Sequence, residues 1–356
     1  MAVKSSGSPL SFSEIETEFG QNNDRDLGEY RVSQTVGGLS NQPLDTGIPQ
    51  SGEIKFSEFY DKRLNVVIDY HSGSTENRPT VAKTRYNAAA GTGTHTVIGG
   101  FATRPTNSGG TKTRIHVNKT IGSSTGNINN CAVRTGTGWN SGTVLTIEIG
   151  SSGALYGAGG DGGEAGTSDG DASGDNGGSG SSGLGVQFTG TTVINNGIIS
   201  AGYGGGGGGG YRKVEREELF SGPVYAASGG GGGGGQGLPA GEGLDGGSDG
   251  TTTAGGNGGN GGSNSQAHGG GGGGGGSNGT GGEGGNSNDG GNGTSSTGGN
   301  GASGTHTGSI EGENNVTGGG GTGGGNGAAI RRTSGITVNI TNNATITGAD
   351  DATGVA

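Results

Sequence analysis

Apolar and polar positions fall into three regimes along the chain. In the first, short apolar pairs sit at helical spacing. Ser11-Phe12-Ser13-Glu14 sets a serine three residues before a glutamate, the arrangement that closes the first turn of a helix. Ile15 and Phe19 follow on one face, and Gly20 supplies a stop. A helix of about two turns is too short to hold alone and must pack on something. A second short helix is expected over residues 26–31, with Leu27 and Tyr30 inward. The first signal nearly repeats in Ile54-Lys55-Phe56-Ser57-Glu58-Phe59-Tyr60, after a turn at 48–52. Phe12, Ile15, Phe19, Leu27, Tyr30, Phe56 and Phe59 are thus the expected core of a small unit over residues 1–65.

The second regime, residues 66–150, has a period of two. Val66-Val67-Ile68-Asp69-Tyr70, Thr96-Val97-Ile98, Thr113-Arg114-Ile115-His116-Val117 and Thr143-Val144-Leu145-Thr146-Ile147-Glu148-Ile149 read as strands, the last alternating polar and apolar. Gly, Asn, Ser and Thr fill the gaps. The class this fits is all-β and sandwich-like, with Cys131 and Trp139 interior. His71, His95 and His116 stand far apart with no ligand spacing.

The third regime, residues 151–356, has almost no apolar pattern and is built of glycine. Of 97 glycines, 77 lie here. Undivided runs occupy 204–210, 229–235, 269–276 and, shorter, 318–321. Between them glycine falls with period three, most clearly in Gly255-Gly256-Asn257-Gly258-Gly259-Asn260-Gly261-Gly262-Ser263. Two opposed readings apply. One is a flexible linker, because glycine loses the most backbone entropy on ordering and has no side chain to bury. The other, adopted here, is a lattice of polyglycine-II helices, with about three residues per turn and a rise of about 3.1 Å per residue. Such rods have no internal hydrogen bonds and no side chains to hold neighbours apart, so they can bond backbone to backbone. Period-three stretches mark rods at the rim, carrying Asn, Asp, Glu or Ser to water. Collagen is excluded, since strict Gly-X-Y and abundant proline are missing. Beneath the glycine lies a repeat: Ile149-Gly150-Ser151-Ser152-Gly153-Ala154-Leu155, Val193-Ile194-Asn195-Asn196-Gly197-Ile198-Ile199 and Ile340-Thr341-Asn342-Asn343-Ala344-Thr345-Ile346 each join two short strands through a small polar turn, as β hairpins or solenoid-like corners. The expected fold is mainly β with polyglycine-II helices, in three parts: 1–65, 66–150 and 151–356.

Charge follows the same division. Residues 1–150 hold 14 Lys/Arg and 13 Asp/Glu; the remainder holds 5 and 17. An acidic, lysine-poor glycine region does not seek a phosphate backbone, so nucleic acid is not an expected partner. No apolar run is long enough to span a membrane, and the first residues lack an apolar signal core. Cys131 is the single cysteine, which excludes an intrachain disulfide and suits a chain made in a reducing host cytoplasm.

The order Leu10-Ser11-Phe12-Ser13-Glu14-Ile15, Glu18-Phe19-Gly20, Leu27-Gly28-Glu29-Tyr30 and Ile48-Pro49-Gln50-Ser51-Gly52-Glu53-Ile54-Lys55-Phe56-Ser57-Glu58-Phe59-Tyr60 resembles an N-terminal segment of virion structural proteins of marine cyanophages and related phages. The resemblance implies an attachment module that docks different distal parts onto a virion. The tandem glycine runs resemble the glycine-rich tip adhesins of T-even-like phage long tail fibres, which implies a polyglycine-helix sandwich whose distal loops contact the host. The strand-rich end, residues 336–346, departs from that pattern and leaves a lateral fibre role open.

Tyr211-Arg212-Lys213-Val214-Glu215-Arg216-Glu217-Glu218-Leu219-Phe220-Ser221-Gly222-Pro223-Val224-Tyr225 interrupts two glycine runs and holds three of the five basic residues after position 150. Aromatic and charged side chains between rigid rods suit contact with a surface glycan or an outer-membrane protein loop. The receptor-binding candidates are Tyr211, Arg212, Lys213, Arg216, Phe220 and Tyr225. The competing reading is that the segment covers one end of the lattice or packs on a neighbouring subunit. Asp169-Gly170-Asp171-Ala172-Ser173-Gly174-Asp175 matches half of a calcium loop, but glycine stands where the closing glutamate belongs, so no metal is expected. No phosphate loop or nucleophile elbow occurs, so an enzyme and a cofactor are not expected. Ice binding by glycine helices needs flat ranks of threonine or alanine, whereas the outward positions here are mixed. The function expected is a phage virion tail fibre or adhesin subunit. Its partners are other tail proteins and a host-surface molecule, with a trimer among the possible oligomers. The alternative is a purely architectural virion protein of the neck, baseplate or an adaptor.

Overall fold

The computed structural model describes residues 4–19, 27, 52–61, 65–70, 96–98, 112–123, 127–136, 144–168, 172–215, 224–285, 288–295, 297–306 and 315–355. Helix α1 spans Phe12–Phe19 and starts as its sequence predicts. Ser11 N donates to Glu14 Oε2 (2.8 Å), and Glu14 N donates back to Ser11 Oγ (3.3 Å). A 3-10 turn over Phe56–Phe59 repeats half of the device, with Lys55 N donating to Glu58 Oε2 (2.6 Å). The two are tied by Tyr60 Oη to Ser8 O (2.6 Å) and by edge-to-face contact of Phe12 and Phe56, ring centres 5.9 Å apart. Ile15 and Phe59 are fully buried in the main core, where Phe12 and Leu27 are partly buried. The expected helix at 26–31, Tyr30 and the Phe19 side chain lie outside the described residues, as do His71, His95, Trp139 and the side chain of His116.

Strands β1 (Asn65–Tyr70) and β2 (Thr96–Ile98) pair antiparallel. From there the chain winds into coils. The first is β3 (Lys112–Val117), β4 (Thr120–Gly122) and β5 (Cys131–Arg134). The second is β6 (Val144–Ile149), β7 (Ala154–Tyr156) and β8 (Ser182–Val186). The third begins with β9 (Thr191–Asn195) and β10 (Ile198–Ser200). Five short strands then lie apart: β11 (Arg212–Glu215), β12 (Val224–Ala227), β13 (Ala267–His268), β14 (Thr305–His306) and β15 (Val316–Thr317). The third coil closes with β16 (Ile330–Arg332). A fourth follows in β17 (Val338–Asn342), β18 (Thr345–Thr347) and β19 (Ala352–Thr353).

Successive coils stack in parallel. β3, β6, β9 and β17 share one sheet, β4, β7, β10 and β18 a second, β5, β8, β16 and β19 a third. The inside carries ranks of apolar residues in register: Ile115, Ile147, Val193 and Ile340; Ile121, Leu155, Ile199 and Ile346; Val133, Leu184 and Ile330. Most are fully buried, each contributing about 1.5–3 kcal/mol.

The all-β class therefore holds, but the sandwich-like arrangement is corrected to a parallel coil, and the three turn repeats are its corners, not hairpins. Buried Asn195 marks the corner rank: its Nδ2 donates to Asn342 Oδ1 (2.8 Å) and Thr345 O (3.0 Å) in the next coil. The sandwich was inferred from strand spacing, and insertions hide the coil period. Residues 157–180 leave the second coil between β7 and β8, and residues 201–329 leave the third between β10 and β16. Strands from both sides of residue 150 thus share the same three sheets.

The two insertions interleave into one body of extended glycine segments. Segment 201–211 shows its construction. Its amides donate in rotation, Gly205 to Gly178 O (2.9 Å), Gly206 to Gly233 O (2.8 Å) and Gly207 to Gly299 O (2.9 Å). The cycle then repeats with Gly208 to Asp175, Gly209 to Gly230 and Gly210 to Ala302. Its carbonyls accept from three further segments, Gly204 from Gly276, Gly205 from Gly324 and Gly206 from Gly163. Every bond thus recurs after three residues. A Cβ on Gly206 would fall on the Gly273 carbonyl oxygen, nearer than real Cβ atoms approach anything.

At the rim, asparagine and aspartate take over as acceptors. Asn257 Oδ1 takes the Thr280 amide (3.0 Å), Asn260 Oδ1 the Glu283 amide (2.8 Å) and Asp161 Oδ1 the Glu242 amide (2.9 Å). The rim side chains were expected to face water alone; they also bond the neighbouring segment.

Two outcomes follow. Gly206→Ala or Gly272→Ala should lower stability by at least the ~1–3 kcal/mol of overpacking. Gly325→Ala, with nothing within 4 Å of its Cβ, should be neutral or raise it by about 0.4–1 kcal/mol, read by thermal or denaturant unfolding. Separately, Lys4 Nζ and then the Ser11 amide and hydroxyl hold the Glu14 carboxyl down, from 4.5 to about 2. A depressed carboxyl stabilises fully above its unfolded value and loses that contribution as pH falls through the folded one. Amide resonances of the α1 start should therefore report loosening between pH 4.5 and about 2, and Glu14→Gln should abolish that step.

Candidate functional site

Glycine segments alternate in direction, so their connections gather at two ends. One end meets the coils, where Ser123 N donates to Leu238 O (3.0 Å). The far end carries β11 to β15. β11 continues segment 201–211 and is the middle strand of a three-stranded antiparallel sheet, with β12 on one side and β15 on the other. β13 and β14 pair beside it. Backbone bonds anchor this cap to the lattice: Tyr211 N donates to Ala172 O (2.8 Å), and Tyr211 O accepts from Gly318 N (2.7 Å).

Strand alternation sorts the cap into two faces. Arg212 and Val214 face inward with Tyr225 and Ala227, opposite which they pair. Val214, Ala227 and Ala267 form a small apolar cluster with Tyr225 packed against it. Arg212, only 6 % exposed, reaches His306 Nδ1 through Nη2 (3.1 Å) and Val316 O through Nη1 (3.4 Å). As guanidinium only donates, His306 Nδ1 accepts and its proton sits on Nε2. Burial pushes the Arg212 pKa down.

The outward face holds Lys213 and Glu215 flanked by Val224, Ala226 and Val316, which pair directly opposite them. Lys213 Nζ and Glu215 Oε1 form an ion pair, and that bond raises the Lys213 pKa against the opposing effect of desolvation. Val224 is 54 % exposed and Val316 37 %. The arrangement is a flat, mixed apolar and charged patch on a rigid stem, suited to recognition by contact.

The structure divides the sequence candidates. Tyr211 and Arg212 are buried, Tyr225 is half-buried and inward, and Lys213 faces out. Arg216 and Phe220 lie outside the described residues, as do 169–171 of the half calcium loop. Asp175, at the other end of that motif, is exposed, and its amide donates to Glu164 O (2.9 Å). Among the described residues no cluster of His, Cys, Asp or Glu could hold a metal. Sequence reading passed over Val224 and Glu215, which period-two alternation within 211–225 could have separated from the inward side chains. Val316, a hundred positions downstream, gave no such signal.

A family model described as phage tail fibre adhesin Gp38 matches residues 95–280, more than half of the chain. The chain belongs to the phage tail fibre adhesin Gp38 family. The matched span of this adhesin runs from the first coils, across the first insertion and the cap strands β11 to β13, to the glycine run at 269–276. Among solved structures the adhesin is similar to the gp37-gp38 adhesin tip complex of the bacteriophage S16 long tail fibre. The identity is 16 %, with 85 % of this chain and 89 % of that chain covered at a TM-score of 0.29. No curated protein matches the adhesin.

Val214→Asp places an unpaired charge in the cap's apolar layer, at a cost of about 3–5 kcal/mol. The expected result is faster proteolysis around residues 211–227 with unchanged amide protection in the 269–276 run.

Proposed function

We propose that this tail fibre adhesin recognises the host through the outward face of its cap, a reading carried by one observation. The Lys213–Glu215 pair and the exposed Val224 and Val316 lie together on the outward face of the sheet, opposite the face that β13 and β14 cover. The glycine segments serve as polyglycine-II helices. Bonds that recur every three residues and rotate among neighbouring segments support that assignment. A bundle of such rods is stiff, because every backbone group inside it is held from several directions. The host ligand is a surface glycan or an outer-membrane protein loop.

The coiled β body and the N-terminal unit hold the adhesin to another tail protein. Membership of the tail fibre adhesin family favours such a partner. Phe12, Ile15, Leu27 and Phe59 act as core residues of that unit, and the exposed part of Phe56 is open to the partner. The role is binding without catalysis, and it places the protein at the tail of the virion.

Phage carrying Val224→Asp with Val316→Asp should assemble normally and lose adsorption by at least ~10-fold, about 1.4 kcal/mol of binding. Adsorption equal to that of the parent phage, with the variant incorporated and folded, refutes the cap-face assignment.

A further inference from the structure

Eight asparagines directly precede a glycine, all between residues 176 and 327. This dipeptide is chemically the least durable in proteins. The glycine nitrogen attacks the asparagine Cγ, the side-chain amide leaves as ammonia, and a five-membered succinimide remains. Water then opens either carbonyl, giving aspartate or isoaspartate. Glycine is the fastest neighbour because it has no side chain to obstruct the approach. Two movements are required. The carboxamide must swing over the following nitrogen, and that nitrogen must leave its hydrogen bond.

The lattice blocks both movements with paired bonds. Asn257 Oδ1 accepts from Thr280 N (3.0 Å), while Gly258 N donates to Thr280 O (2.8 Å). Asn260 and Gly261 are clamped in the same way by Glu283, both bonds 2.8 Å. Asn176 and Gly177 are clamped by Thr322, again both 2.8 Å. Asn292, Asn300 and Asn326 also have Oδ1 held by an amide of the neighbouring segment, each at 2.9 Å. The glycine nitrogens that follow them are likewise engaged, by Gly279 O, Gly321 O and Gly202 O. Asn196, at a coil corner, is held by Asn343 Nδ2 (2.9 Å) and Glu148 Oε1 (3.4 Å).

Asn278 differs. It sits with Ser277 in a tight turn at positive φ (70° and 62°), is exposed, and has no side-chain bond among the described residues. Only the Gly279 amide is engaged, within the turn, to Gly275 O (2.9 Å).

We propose that the rim bonds shield six of the eight Asn-Gly sites from succinimide formation, that the coil-corner bonds shield a seventh, Asn196, and that Asn278 is the deamidation site of the folded adhesin. The location matters to the lattice. Isoaspartate inserts an extra carbon into the main chain. Inside a segment it displaces every later bond of the three-residue repeat, whereas at the 277–279 turn the extra length is taken up outside the ladder.

The test is incubation of the full-length protein with water as the only reactant, in mildly alkaline buffer, native and urea-unfolded, followed by peptide mapping by mass spectrometry. The expected native result is aspartate and isoaspartate at Asn278, with Asn257, Asn260 and Asn300 intact. Unfolding should bring those three to the Asn278 rate. Equal rates at Asn257 in native and unfolded protein overturn the shielding. A native Asn278 that reacts no faster than Asn257 overturns the site assignment.

Discussion

A backbone amide bonded to a carbonyl of another segment, with no side chain between them, is the interaction on which half of this molecule rests. Ordinary domains bury apolar side chains and satisfy their backbone inside helices or sheets. Here the glycine run at 204–210 buries only its own main chain, and each amide is satisfied by a different neighbour in turn. Such an interior tolerates no Cβ, so its composition is forced toward glycine by the distance between segments. The entropy cost of ordering glycine is high, and the return comes from many bonds of about 0.5–1.5 kcal/mol each, formed where water is excluded.

This type of interior needs a frame, because nothing within a glycine segment selects its partners. The coiled β body supplies it. Its ranks of Ile, Leu and Val are an ordinary apolar core, and the glycine segments leave it and return to it at fixed points between β7 and β8 and between β10 and β16. The asparagine and aspartate side chains at the rim add the register that bare glycine lacks, since an Oδ1 can accept only where a neighbour's amide stands free. The cap at the far end then inherits its position from segment 201–211, which runs directly into β11.

Much of the chemistry was legible in the sequence, and its spatial arrangement was less so. Ser11 and Glu14 announced α1 because a capping box is local. The alternation through residues 143–149 announced a strand for the same reason. The parallel coil was not legible, because strands that pair across it begin at residues 112, 144, 191 and 338, intervals made uneven by the insertions. In the candidate site, the segment 211–225 stood out by composition, yet Tyr211 and Arg212 turned out to be buried. Arg212 turns inward because β11 is covered on one face by β13 and β14, and Tyr211 is buried where segment 201–211 ends between its neighbours, neither of which a local pattern encodes.

The sequence alone determined that the glycine runs after residue 150 cannot form a greasy core and that glycine there repeats by threes, since both depend only on composition and order. It also determined the strands that alternate or are β-branched, such as that at 143–149, where α1 is capped and which segment interrupts the runs. Tertiary structure decided which segments lie side by side, that the β body is a coil, and that Lys213, Glu215, Val224 and Val316 share one outward face. The physical reason is that glycine bonds are identical from one segment to the next. Partner choice therefore comes from the path the β frame imposes and from a few rim side chains, and both are properties of the assembled chain.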